Sequence, residues 1–216
     1  MMNKLKHFLI LLLLCFVLIS CQSNDHVIET IYDHLTATVL IEENFEKYQE
    51  KINELESEEH EIYNELIGLG DDDKEEIKEL TKEAIYILDE KMEYIQLIKE
   101  TLAESRKEFI KIEPFIDQVK DEVQLEYVNK MYDTMIKRYE SYDKVYDSNV
   151  DSVQLTNELY EGFSSDDISA ADIYSLIGDI NDSYEAIIEA NEQFNKETIL
   201  YNGLKADFYE LLDQNE

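Results

Sequence analysis

A thiol at position 21, preceded by a dozen apolar residues and the small Ser20, is the strongest chemical signal in this 216-residue chain. The other groups that could do chemistry are not arranged for it. His26, His34 and His60 form no His-Glu-x-x-His pair, and none stands three residues after a Glu, so the zinc and di-iron helix patterns are missing. Asp71-Asp72-Asp73 lacks the alternating ligands, central Gly and closing Glu of a calcium loop. There is no Gly-x-Ser-x-Gly elbow, phosphate-cradling Gly loop or dinucleotide fingerprint. Carboxylates are abundant but sit at the density of helix surfaces, without a distinctive pair. We therefore expect no catalytic residues, no metal site and no enzyme, and no pattern singles out a ligand-binding residue.

The thiol reads differently. Leu18-Ile19-Ser20-Cys21 closes a leader with Lys4 and Lys6 at its start and an apolar run from Phe8 to Ile19, which is signal-peptide architecture. Those four residues resemble the lipobox of bacterial lipoproteins. The resemblance implies that the Cys21 thiol receives a diacylglyceryl group, that the chain is cut before it, and that residues 1–20 are removed. As an uncleaved anchor the run falls short: twelve helical residues reach about 18 Å against a hydrocarbon core of roughly 30 Å. Two acyl chains on one cysteine meet the two-signal requirement for stable anchoring. No cofactor is expected beyond this lipid on Cys21. The location implied is the outer face of the cell membrane. Cys15 leaves with the leader, so no disulfide framework remains.

Charge narrows the partners. The leader holds two of 19 basic residues and none of 51 acidic ones, so the remainder carries 17 cations against 51 anions, a formal −34. Such a surface repels nucleic-acid phosphates and anionic headgroups. Between Val145 and Asn195 there is no Lys or Arg. Basic residues gather in two places, Lys99 to Lys111 and Lys130 to Lys144, where Asp133–Lys137 and Glu140–Lys144 are spaced to pair along a helix.

What must position these groups is helical. Pro occurs once and Gly five times. Apolar residues recur by threes and fours over four stretches. The first runs from about His26 to Ile67 and is stopped by Gly68 and Gly70, which accept a left-handed turn. Asp71-Asp72-Asp73 supplies caps for the second, which Pro114 ends or kinks, pushing Glu113 out of helical geometry. The third, Leu125 to Phe163, and the fourth, Ile173 to Leu212, keep a heptad rhythm throughout. Each seam carries one Asn, Asn149 and Asn191, at positions offset enough to predict separate polar layers. Most of the 15 tyrosines fall on the seams and read as core. The expected fold is all-α, an elongated antiparallel bundle of about four long helices with coiled-coil-like packing. Residues 21–25 are read as a short tether and 26–216 as a single helical domain.

Several segments carry a resemblance: Phe45-Glu46-Lys47-Tyr48-Gln49-Glu50, Met135-Ile136-Lys137-Arg138-Tyr139, Ile180-Asn181-Asp182-Ser183-Tyr184, Asn191-Glu192-Gln193-Phe194-Asn195 and Tyr201-Asn202-Gly203-Leu204-Lys205. In this order they resemble the YkyA-type family of Gram-positive lipoproteins, described as cell-wall-binding. The resemblance implies a non-catalytic lipoprotein tethered to the membrane and contacting peptidoglycan or wall polymers, with Cys21 as the one functional residue transferred. The alternative is an envelope adaptor or regulator that docks on a membrane or secreted protein. A chain this acidic would meet anionic wall polymers only through bridging cations, basic pockets or contacts with neutral glycan. An enzyme would need two carboxylates sharing a pocket.

Overall fold

The computed structural model describes residues 24–70, 72–165 and 168–214. Six helices account for nearly all of them: α1 (Asn24–Ile41), α2 (Phe45–Leu66), α3 (Lys74–Phe109), the single-turn α4 (Glu113–Ile116), α5 (Glu122–Phe163) and α6 (Ala170–Asp213). Among the described residues there is no strand, and the fold is an all-α bundle. At 1.5 Å per residue, the 44 residues of α6 make a rod of about 66 Å. Its N-terminus is fixed by a reciprocal cap: Ser169 Oγ accepts from the Asp172 amide, and the Asp172 carboxylate accepts from the Ser169 amide. Asp121 caps α5 by accepting from the amides of Val123 and Gln124.

The chain folds up and down. The collinear pair α1 and α2 packs on α3, α3 on α5, and α5 on α6. Aromatic rings close the square. Phe45 of α2 reaches Tyr142 of α5 and Phe194 of α6, while Phe109 of α3 reaches Tyr201 of α6. The fourth side is different from the other three. Among the described residues no Cα of α1 or α2 comes within 8 Å of one in α6, so only side chains bridge this seam. Phe45–Phe194 and Tyr32–Tyr209 are the rings that do so, with centroids 5.9 and 5.0 Å apart.

The third and fourth expected helices are present nearly to the residue, and several local details differ. The first stretch is two helices, since a 3-10 turn at Glu42–Asn44 separates α1 from α2. No described glycine takes a positive φ. α2 instead ends by tightening, with the Gly68 and Leu69 amides bonded three residues back to Glu65 and Leu66. The Asp73 carboxylate turns back to the Gly70 amide at 2.9 Å instead of capping α3. Glu113 keeps helical angles (φ −52°, ψ −47°) although Pro114 follows it. Pro114 lies in the first turn of α4, where its missing N–H is not needed. Asn24 and Asp25, read as tether, already belong to α1. Asn24 pins that end by donating to Gln124 Oε1 and accepting from the Lys120 amide. Cys21, the leader and the rest of the tether lie outside the described residues, as does Asp71.

Candidate functional site

α5 sits between α3 and α6, so it buries two faces, and polar residues placed there need partners inside the bundle. Arg138 is the consequence. The basic strip expected on this helix loses its central member, because Arg138 is buried and spans the bundle instead of facing solvent. Its guanidinium grips Glu42 in the 3-10 turn with two bonds, Nη1 to Oε1 at 3.0 Å and Nη2 to Oε2 at 2.8 Å. Nε donates to Thr198 Oγ1 of α6 at 3.0 Å, and the Phe194 ring lies 4.9 Å from the guanidinium carbon. Ser105 of α3 donates to Glu42 Oε1, and Tyr139 shares a 2.7 Å bond with Ser105. The Arg138–Glu42 pair thus ties four helical segments together. The pair sits at the break between α1 and α2, because Glu42 opens the 3-10 turn there. Lys99 meets Asp143 across α3 and α5. Lys130 pairs with Glu126 along α5, while neither Asp133–Lys137 nor Glu140–Lys144 forms an ion pair among the described residues. Asn149 and Asn191 each donate to a carbonyl of their own helix, Val145 and Ile187.

Among the described residues, clefts lie along the wide seam between α1/α2 and α6. Near the chain ends, one of about 680 Å³ lies among Tyr32, Gln124 and Leu212. At the helix break, one of about 340 Å³ is lined by Glu43, Glu46, Thr198, Tyr201, Asn202 and Lys205, over the Arg138–Glu42 pair. Toward the far end, about 230 Å³ is enclosed by Glu59, His60 and Tyr63 of α2, Tyr160 of α5, and Ile177, Asn181 and Tyr184 of α6. In the floor of this last cleft Tyr160 donates a very short hydrogen bond to Glu59, and both are buried. Burial pushes the Tyr160 hydroxyl well above the ordinary tyrosine range, with the Glu59 charge adding to it. Desolvation raises Tyr184 in the same direction, again with Glu59 contributing. Both phenols stay protonated at neutral pH, and the Tyr160 proton is already donated to Glu59.

This is chemistry for holding a ligand. The cleft offers a half-buried phenol ring at Tyr63, an exposed one at Tyr184, an imidazole and an amide at its mouth, and one carboxylate already engaged by Tyr160. Two carboxylates flanking a bond, as glycoside hydrolysis ordinarily requires, are not assembled there. Among the described residues no group of three or more His, Cys, Asp or Glu could hold a metal ion. His60 lines the far cleft, whereas His34 is bonded to Glu108 at 2.7 Å. Reading tyrosines as core is correct for Tyr139, Tyr142, Tyr160 and Tyr201, all buried. Tyr63 packs against the core and also lines the cleft, whereas Tyr184, 37% exposed, lines the cleft outside that core. The signal available in the sequence was their company, since His60 precedes Tyr63 by one turn and Asn181 precedes Tyr184 by another.

The sequence model of the family described as "Putative cell-wall binding lipoprotein", YkyA, matches residues 26–211. The chain belongs to that family. It is 26% identical over 197 residues to the "Uncharacterized lipoprotein YkyA" of Bacillus subtilis (strain 168), covering 91% of this chain and 88% of the relative. Its fold matches the crystal structure of a conserved protein of unknown function from Staphylococcus aureus with a TM-score of 0.75. That likeness covers 89% of this chain and 99% of the other at 15% identity. Membership of a lipoprotein family implies a membrane-anchored, extracytoplasmic protein. Among the described residues no helix is long and apolar enough to cross a membrane.

Proposed function

We propose that this chain is a non-catalytic envelope lipoprotein, acylated on Cys21, that holds the neutral glycan of the cell wall in the seam between α1/α2 and α6. The observation that supports it is the seam itself: three sides of the bundle are packed through the backbone, and the fourth is held apart by side chains over an aromatic, polar cleft. Sugar rings carry apolar faces and hydroxyl edges. The former suit Tyr63 and Tyr184, and the latter suit the hydrogen-bonding groups of His60 and Asn181. Neutral glycan also resolves the charge problem. A formal −34 opposes phosphate-rich wall polymers, while an uncharged sugar meets no such repulsion. Geometry suits the address as well. Asn24 lies three residues after Cys21 and at the same end of the bundle as Lys120 and Gln124, so a lipid on Cys21 would leave the seam running outward from the membrane. The test is titration of the chain with N-acetylglucosamine oligomers, followed by tyrosine emission, which is clean because the chain has no Trp. Saturable change lost in Tyr184→Ala supports the reading; no change at millimolar oligomer contradicts it.

A second reading, docking on an envelope protein, has its own observation. Tyr174, Ile188 and Ile199 of α6 are 76%, 58% and 73% exposed. At about 100° per residue they fall within about 40° on one face. Crosslinking from position 188 in living cells would capture such a partner.

A further inference from the structure

The cleft at the helix break carries opposite charges on opposite walls, and they do not meet. Lys205 lies on the α6 wall, half-buried, and forms no ion pair with any described carboxylate, in a chain with 51 of them. Glu43 and Glu46 lie on the wall formed by the 3-10 turn and α2, exposed and likewise without an ion pair among the described residues. The width of the seam explains the separation, since no Cα of α2 approaches α6 within 8 Å. The remaining charges are already matched: Arg138 and Glu42 saturate each other in the floor. Tyr201, also in the lining, is 4% exposed with a hydroxyl that has no partner. Thr198 and Asn202 add neutral polar groups beside Lys205.

We infer that this cleft binds a zwitterionic peptide end, its carboxylate on Lys205 and its ammonium toward Glu43 and Glu46. The inference is independent of the glycan reading, because a free ammonium and a free carboxylate on one short peptide need no attached sugar. Its space of about 340 Å³ is at the small end of ligand pockets, which span roughly 300–1,000 Å³. A plain anion is a poorer fit, because two unpaired carboxylates face it across the gap. A plain cation is poorer still, because it would sit against Lys205. Desolvation holds the Lys205 ammonium below the ordinary lysine range, the condition that an incoming carboxylate would relieve. From Glu46 to Glu59 along α2 is thirteen residues, or about 20 Å. The peptide cleft and the aromatic cleft are therefore separate sites.

The probe is the dipeptide alanyl-alanine, titrated calorimetrically into the full chain in detergent, beside its N-acetyl and C-amide forms and inorganic phosphate. The zwitterion should bind about tenfold or more tighter than either blocked form, the scale set by one charge-assisted hydrogen bond. Lys205→Met, which keeps the apolar stem, should abolish the carboxylate-dependent part, and Lys205→Arg should retain most of it. Glu43→Gln with Glu46→Gln should weaken the zwitterion and strengthen the N-acetyl form, from which it removes two facing charges. Equal binding of phosphate and dipeptide would show an anion site only and overturn the proposal, as would no heat from any probe. If Lys205→Met still pellets with peptidoglycan and binds the dipeptide as wild type does, while Tyr184→Ala does not pellet, glycan binding stands and this inference falls. Lys205-dependent dipeptide binding by a chain that pellets with no wall would uphold the peptide site and remove glycan binding.

Discussion

Raising the pH above 10 should unfold this protein through its tyrosines. Tyr139, Tyr142, Tyr160 and Tyr201 are all buried, and in each case desolvation, the largest cause, drives the hydroxyl far above the tyrosine range near 10. A raised acid constant means that the folded state holds its proton after the unfolded state has released it. Stability is therefore level below pH 10 and falls as pH climbs from the unfolded value toward the folded one. One unit past 10, each group costs about 1.4 kcal/mol, so four cost about 6 kcal/mol, against a total stability of roughly 5–15 kcal/mol. Collapse should be cooperative between about pH 11 and 12. With 15 Tyr and no Trp, near-ultraviolet tyrosinate absorbance reads the phenols directly while circular dichroism follows the helices. Exposed rings such as Tyr86 and Tyr174 should ionise first, and the buried four only as helicity disappears. If all tyrosines titrate together near pH 10 with the helical signal intact, the aromatic core is not buried and the reasoning fails.

Arg138→Met should destabilise the fold by about 3–5 kcal/mol, because it strands the Glu42 carboxylate, and should lower the melting temperature by about 6–20 °C. Adding Glu42→Leu should recover much of that loss, which a double-mutant cycle by thermal melting would reveal; simple additivity would refute the pairing. Gly178 and Gly203 lie inside α6 with nothing within 4 Å of an added Cβ, so each Gly→Ala should stabilise by about 0.5–1 kcal/mol in urea unfolding. Cys21→Ser should leave an unlipidated precursor that does not label with palmitate; retained labelling and cleavage before residue 21 would remove the basis for anchoring.

The long helices are legible in the sequence because their apolar period persists for about forty residues, and heptads that long admit few alternatives. The ion pair at the helix break is not, because Glu42's partner Arg138 lies 96 residues away. Local pattern does not reveal it: a Glu in an acidic stretch and an Arg among lysines both read as solvated. Tyr63 and Tyr184 escape for a related reason. Period alone gives the face of a helix, whereas the gap between α1/α2 and α6 depends on ring sizes meeting across the bundle. The opposed charges of Lys205 and Glu43 need the same information. The reading of Cys21 comes from its flanking leader, since that signal is local and linear.

Cosedimentation with peptidoglycan stripped of its anionic polymers tests the central claim most directly. The wild-type chain should pellet, with or without chelator, since neutral sugar contacts need no bridging cation. The Tyr63→Ala, Tyr184→Ala double variant should stay in solution while keeping its helical signal. Equal pelleting of both proteins, or pelleting that a chelator abolishes, would contradict glycan binding in the α1/α2–α6 seam.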